Sequence, residues 1–187
     1  GDGAVLLEAL RRRALAAADP ALDLRVAQLL EDRGDPRAAI DWLAGRIERH
    51  GPALARTLVE RQIVLHDSLD DDAGLLAWLD RADLAYGVDP VRALRRAALH
   101  VRTGDNARAF AALGAARSQA LRAPEPPTLP GSAETFWHLW AELAQSLQRE
   151  DEADFAYRQL LRAGRADASV LGAWGELLAP RSTRAAA

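Results

Sequence analysis

The chain has 187 residues and a formal net charge of −3, with both signs mixed along it, so no surface for nucleic acid or another polyanion is indicated. All 24 basic residues are Arg, which excludes a lysine-bearing phosphate loop, and the absence of Cys excludes disulfides, thiolate metal sites and Cys nucleophiles. Apolar residues make up 49% and aromatics 5%, roughly a fifth of the chain is Ala, and no apolar run reaches the ~18 residues of a membrane span.

Ala, Leu, Arg, Glu and Gln favour helix, and the β-branched residues that favour strands are scarce, so an all-α fold is expected. No signal peptide is visible and Met is absent even at position 1, so a fragment of a longer chain is expected.

Residues 4–18 read as one helix, the second of a preceding pair, with Arg11, Arg12 and Arg13 on a solvated face. Leu22, Val26, Ala27 and Leu30 recur at helical spacing before Gly34. Asp35 then caps a second helix with Pro36 at its first position, and Ala39, Ile40, Leu43 and Ile47 form its apolar stripe up to Gly51-Pro52. The tripeptide Arg33-Gly34-Asp35 is therefore a turn and a cap rather than an adhesion signal.

The same phrase returns. Gly34-Asp35, Leu69-Asp70 and Gly104-Asp105 stand 35 residues apart, each followed by a small residue (Ala39, Gly74, Ala109) and then a large apolar one (Leu43, Trp78, Leu113). On this spacing Asp70 and Asp105 cap the equivalent helices, with Asp71 and Asp72 favourable beside the positive helix end. A fourth copy, Ala153 with Tyr157, follows Ala109 by 44 residues, and RAPEPPTLPGS at 122–132 accounts for the extra nine. Pro124, Pro126, Pro127 and Pro130 predict an exposed, partly extended loop there, a candidate partner contact. Repeats are thus expected at about 20–52, 53–88, 89–121 and 133–165, with partial repeats at 4–18 and 167–178, all in one stacked array. Stacking is required because a single helix pair buries too little apolar surface.

These residues resemble the tetratricopeptide repeat family. Trp137, Trp140-Ala141, Ala144, Ala153 and Tyr157 follow its order of bulky, large-small and turn-flanking residues, and Val26-Ala27, Leu30, Gly34, Ala39 and Leu43 do too. Arg96-Ala97, His100, Gly104, Ala109 and Leu113 follow it less closely. The second copy departs most, with Gln62 where a small residue is expected and Gly74 in place of Ala. The resemblance implies a right-handed α-solenoid of antiparallel helix pairs.

No catalytic constellation is present in the sequence. His50, His66, His100 and His138 are spread along the chain without metal-ligand spacing, and His100 falls on an expected core position. Asp67 to Asp72 lacks the alternating ligands, central Gly and final Glu of a calcium loop. No catalytic residue, cofactor or metal is expected. Trp78, Trp137 and Trp140 match core positions, whereas Trp42 precedes its core neighbour and is the better candidate for an exposed contact.

In the resembled family, the first helix of each pair lines a groove. That implies a partner-binding surface of Gln28, Glu31 and Asp32, then Arg56, His66 and Asp67, then Leu94 and Arg102, then His138, Glu142 and Gln145. Acidic at one end and mixed thereafter, this set suits a protein partner better than a polyanion.

Residues 136–164 also resemble the periplasmic repeat regions of outer-membrane proteins that export bacterial exopolysaccharide, the Pel type first and the cellulose type next. That resemblance implies a periplasmic scaffold docking a polysaccharide deacetylase or hydrolase, with no membrane contact by this segment. It carries no functional residue with it. The competing expectation is direct polysaccharide binding, in which a cationic polymer meets Glu31, Asp32 and Glu142. An enzyme or sensor would need a pocket that the sequence does not advertise.

Overall fold

The computed structural model describes residues 2–17, 19–122 and 133–185. The Pro-rich segment 123–132, with its expected loop and partner contact, lies outside the described residues. Among them are ten helices and no strand: α1 (Asp2–Ala16), α2 (Pro20–Glu31), α3 (Pro36–His50), α4 (Pro52–Ser68), α5 (Asp72–Tyr86), α6 (Pro90–Arg102), α7 (Asn106–Arg122), α8 (Ala133–Ser146), α9 (Glu150–Arg162) and α10 (Ala168–Ala185). The fold is an all-α solenoid of helix pairs. Its helices fall into two compact units, residues 1–87 and 88–187.

The helix starts follow from local chemistry. Asp19, Asp35, Asp71, Asp89, Asp105 and Asp167 each accept a hydrogen bond from a backbone N–H in the first turn of the next helix, at 2.9–3.1 Å. Pro20, Pro36, Pro52 and Pro90 stand where the missing N–H costs nothing.

Within each pair the turn is the same. The N–H of Asp35, Asp71, Asp105 and Arg149 reaches back five residues, to the carbonyls of Leu30, His66, His100 and Ala144 at 2.7–3.0 Å. The residue before each donor has a positive φ: Gly34 (77°), Asp70 (52°), Gly104 (76°) and Gln148 (56°). The left-handed residue, rather than the Gly-Asp pair, is therefore what these four turns share, and Gly164 (66°) makes the same turn between α9 and α10, where the Arg165 N–H reaches the Leu160 carbonyl at 2.9 Å.

This corrects the uniform spacing of 35. The second copy is displaced by one residue, so Asp70 occupies the left-handed position and Asp71, not Asp70, is the cap. The small-residue position is filled by Ala39, Leu75, Ala109 and Ala153, all buried, and the large one by Leu43, Leu79, Leu113 and Tyr157, also buried. Leu79 takes the core place expected of Trp78, which is half-buried with the Arg81 guanidinium 4.9 Å from its ring centre. By the same shift Ile63, fully buried, stands at the small position assigned to Gln62.

The first unit packs Val26, Leu30, Leu43, Ile47, Leu58, Ile63, Leu75 and Leu79 into its core. The second is built on aromatics: Phe110 lies 4.8 Å from Trp140, and Phe136 lies 5.0 Å from Trp137, ring centre to ring centre. Buried Ala97, Ala109, Ala116, Ala141, Ala144, Ala153 and Ala156 let these helices approach closely. Trp137 and Trp140 are core residues as expected, while His100 is half-buried. Trp174 fixes α10 against α9 by donating from Nε1 to Asp154 Oδ1 at 2.8 Å. No helix among the described residues is long and apolar enough to cross a membrane.

Candidate functional site

In the first unit, α2 and α4 are the first helices of successive pairs and touch each other. Arg61 on α4 clamps Glu31 on α2: its Nε donates to Oε1 at 3.1 Å and its Nη2 to Oε2. Glu31 is therefore half-buried and neutralised, and Arg61 is a residue the sequence reading misses. Gln28 donates to Asp32 Oδ1 at 2.9 Å, and both stay exposed. Arg56 is exposed with its guanidinium 5.6 Å from the Tyr86 ring centre. Asp67 is half-buried, and His66 is buried at 7% exposure with Nδ1 2.8 Å from Asp71 Oδ2.

In the second unit Leu94 is only 7% exposed and belongs to the core, so it offers a partner little surface. The helical stripe explains this: Leu94 stands one residue from Ala93 and three from Ala97, both buried. Arg102 is exposed on α6. On α8, His138 is half-buried with Nε2 4.0 Å from Glu134 Oε1, and Glu142 and Gln145 are exposed.

Glu142 makes no ion pair among the described residues, and neither does exposed Glu176 on α10. The field of both is felt by Tyr157: burial first, then the Glu142 and Glu176 carboxylates, push its hydroxyl above the ordinary tyrosine range. Gln145, Gln148, Glu150, Glu176 and Leu177 line an open cleft of about 600 Å³ beside them. The second unit thus brings Gln145 together with an acidic rim. Glu176 was missed because position 176 lies in a segment read only as a partial repeat.

A second omission is structural. Asp23 is fully buried and receives Arg46 Nε at 2.7 Å, with His50 Nε2 2.6 Å from its other oxygen. Arg46 Nη2 also donates to the carbonyls of Ala14 (2.7 Å) and Ala17 (3.0 Å), tying the end of α1 to α2 and α3. The sequence does carry a signal for this network. Asp23 interrupts the apolar stripe of α2, and Arg46 and His50 stand four apart beside Leu43 and Ile47. Trp42, expected to be an exposed contact, is half-buried beside the same network, with Arg11 and Arg46 at 5.7 and 5.9 Å from its ring centre. Among the described residues no three His, Asp or Glu side chains gather so as to hold a metal.

Known proteins agree with this architecture. A family model described as tetratricopeptide repeat matches residues 84–187. No curated protein matches the sequence. Among solved structures, a tetratricopeptide repeat protein from Parabacteroides merdae ATCC 43184 superposes with a TM-score of 0.62 at 13% identity, over 96% of this chain and 66% of that one. The APC/C hetero-tetramer Cut9-Hcn1 superposes with a TM-score of 0.53 at 14% identity, over 96% of this chain and 34% of that one. The chain therefore spans less than two thirds of either structure, and the likeness is one of fold. With its family match covering more than half of the sequence, the chain belongs to the tetratricopeptide repeat family.

Proposed function

We propose that this chain is a non-catalytic scaffold that holds a protein partner on the exposed faces of its first helices. The observation that carries the reading is the pair of exposed, unneutralised carboxylates, Glu142 and Glu176, beside an open cleft lined by Gln145 and Gln148. Unpaired charge at a rim steers encounter and selects an oppositely charged surface. The partner face is accordingly basic, with hydrogen-bond donors for the two Gln side chains.

In its finer form the proposal places the partner among periplasmic polysaccharide-modifying enzymes, a deacetylase or hydrolase, acting in bacterial exopolysaccharide export. The support for this is the sequence resemblance of residues 136–164. Affinity capture from a periplasmic extract, with the native chain and with a Glu142→Arg, Glu176→Arg variant, tests both levels. The expected result is one enzyme recovered by the native chain and lost by the variant. Tight binding of polysaccharide oligomers with no protein recovered would instead favour direct polysaccharide guidance.

A further inference from the structure

Glu142 and Glu176 stand 34 residues apart, the length of one repeat in this family, so they occupy the same place on α8 and α10. These are the first helices of successive pairs, and α9 packs against both. In the first unit the corresponding helices, α2 and α4, touch each other and are bridged by the Glu31–Arg61 ion pair. Among the described residues α8 and α10 make no such approach, and no cation of the chain joins their two glutamates. Where the first unit supplies its own guanidinium, the second leaves two like charges beside an open cleft.

The third group at this edge comes from α9. Tyr157 is a core residue, only 4% exposed, yet its hydroxyl makes no hydrogen bond among the described residues. A buried phenol ordinarily has a partner, so this one calls for an explanation. After burial, the groups that push the hydroxyl above the ordinary tyrosine range are the Glu142 and Glu176 carboxylates. The hydroxyl end of the ring therefore points to the acidic edge and not into the aromatic core. It stays protonated near neutral pH, and its oxygen lone pairs remain available to accept.

We propose that this edge is the seat of a lysine side chain from the protein partner. The ammonium donates to the Glu142 and Glu176 carboxylates and to the Tyr157 hydroxyl oxygen, while its aliphatic stem lies against Leu177. Three acceptors held on three helices match the three N–H groups of one ammonium. A guanidinium instead presents a planar fork suited to a single carboxylate. The inference rests on the scaffold reading above and names the side chain that its basic partner presents at this site.

The chain has two tyrosines, so carbon-13 labelling of the tyrosine Cζ in the full chain gives two resonances, and Tyr157→Phe identifies one by its loss. The probes are the capped peptides Ac-Gly-Lys-Gly-amide, Ac-Gly-Arg-Gly-amide and the neutral Ac-Gly-Gln-Gly-amide, added near neutral pH where lysine is charged. The lysine peptide should move the Tyr157 resonance saturably and leave that of Tyr86 in place, and the neutral peptide should move neither. The arginine peptide should bind roughly threefold more weakly, and Glu176→Gln should weaken lysine binding roughly fivefold. The proposal is overturned if the lysine peptide leaves the Tyr157 resonance unmoved, if the neutral peptide moves it equally, if arginine binds as tightly as lysine, or if Glu176→Gln binds undiminished. A protein partner captured by the native chain, with no response of Tyr157 to the lysine peptide, would sink the seat yet leave the scaffold reading standing.

Discussion

Among the described residues, Asp23 is the only counter-charge hydrogen-bonded to the buried Arg46 guanidinium, whose other bonds go to backbone carbonyls at the end of α1. Removing one partner of a buried pair leaves the other charge uncompensated, so Asp23→Ala should cost about 3–5 kcal/mol. Chemical denaturation would show it. A loss below about 1 kcal/mol would mean that water reaches the guanidinium. Gly74 offers a sharper experiment at the same scale, because in a free helix Gly→Ala stabilises by about 1 kcal/mol. Here the added methyl meets the His66 ring, and overpacking of this kind costs about 1–3 kcal/mol. Gly74→Ala should therefore destabilise the native protein and be neutral or stabilising in a His66→Ala background. Equal effects in both backgrounds would remove the steric argument.

Asp71 adds a pH-dependence of known sign. Its folded-state carboxyl is depressed below the ordinary value of 3.8, so it binds a proton less readily in the folded than in the unfolded chain. The stabilisation is complete above that ordinary value and disappears as pH falls through the folded one. Asp71→Asn keeps a capping oxygen but has no charge to lose. The stability gap between the native chain and this variant should close as pH drops below 3.8. A gap that persists at lower pH would show that the cap, not the charge, sets it.

At the scale of the element, each helix pair is closed by one left-handed residue, and this is where the sequence is most and least readable. Gly34 and Gly104 announce their turns, because Gly adopts φ near +77° without a side-chain penalty. Asp70 and Gln148 do the same work with side chains, so their turns could not be recognised by residue type, and the second repeat was read one position early. Helix type, pairing and most core positions still came through, since a stripe such as Leu43 and Ile47 survives a register slip that a single motif does not. The left-handed penalty also predicts that Gln148→Gly stabilises the second unit by about 0.5–1 kcal/mol, and that Gly34→Ala destabilises the first by about 1 kcal/mol. Thermal unfolding of the two variants would establish whether they shift in opposite directions. Shifts of the same sign would contradict this account of the turns.

At the scale of the whole molecule, the repeat family follows from spacing, but the binding surface follows from details that spacing does not encode. Exposed Gln28, Asp32, Glu142 and Gln145 lie where a first-helix face predicts them, whereas Leu94 turns inward. Glu31 loses its free charge to Arg61, a contact across 30 residues that no local pattern reveals. Glu176 joins Gln145 at one cleft only because α10 packs on α9. Which faces remain open to a partner is therefore a property of packing rather than of any one segment.

The central claim is that a protein partner is held on the first-helix faces. A photo-crosslinking amino acid placed singly at Glu142, at Gln145 and, as a control on the second helix α5, at Leu84, which is 90% exposed, tests it most directly. Positions 142 and 145 should capture the same protein and position 84 none. Capture from position 84 alone would contradict the account.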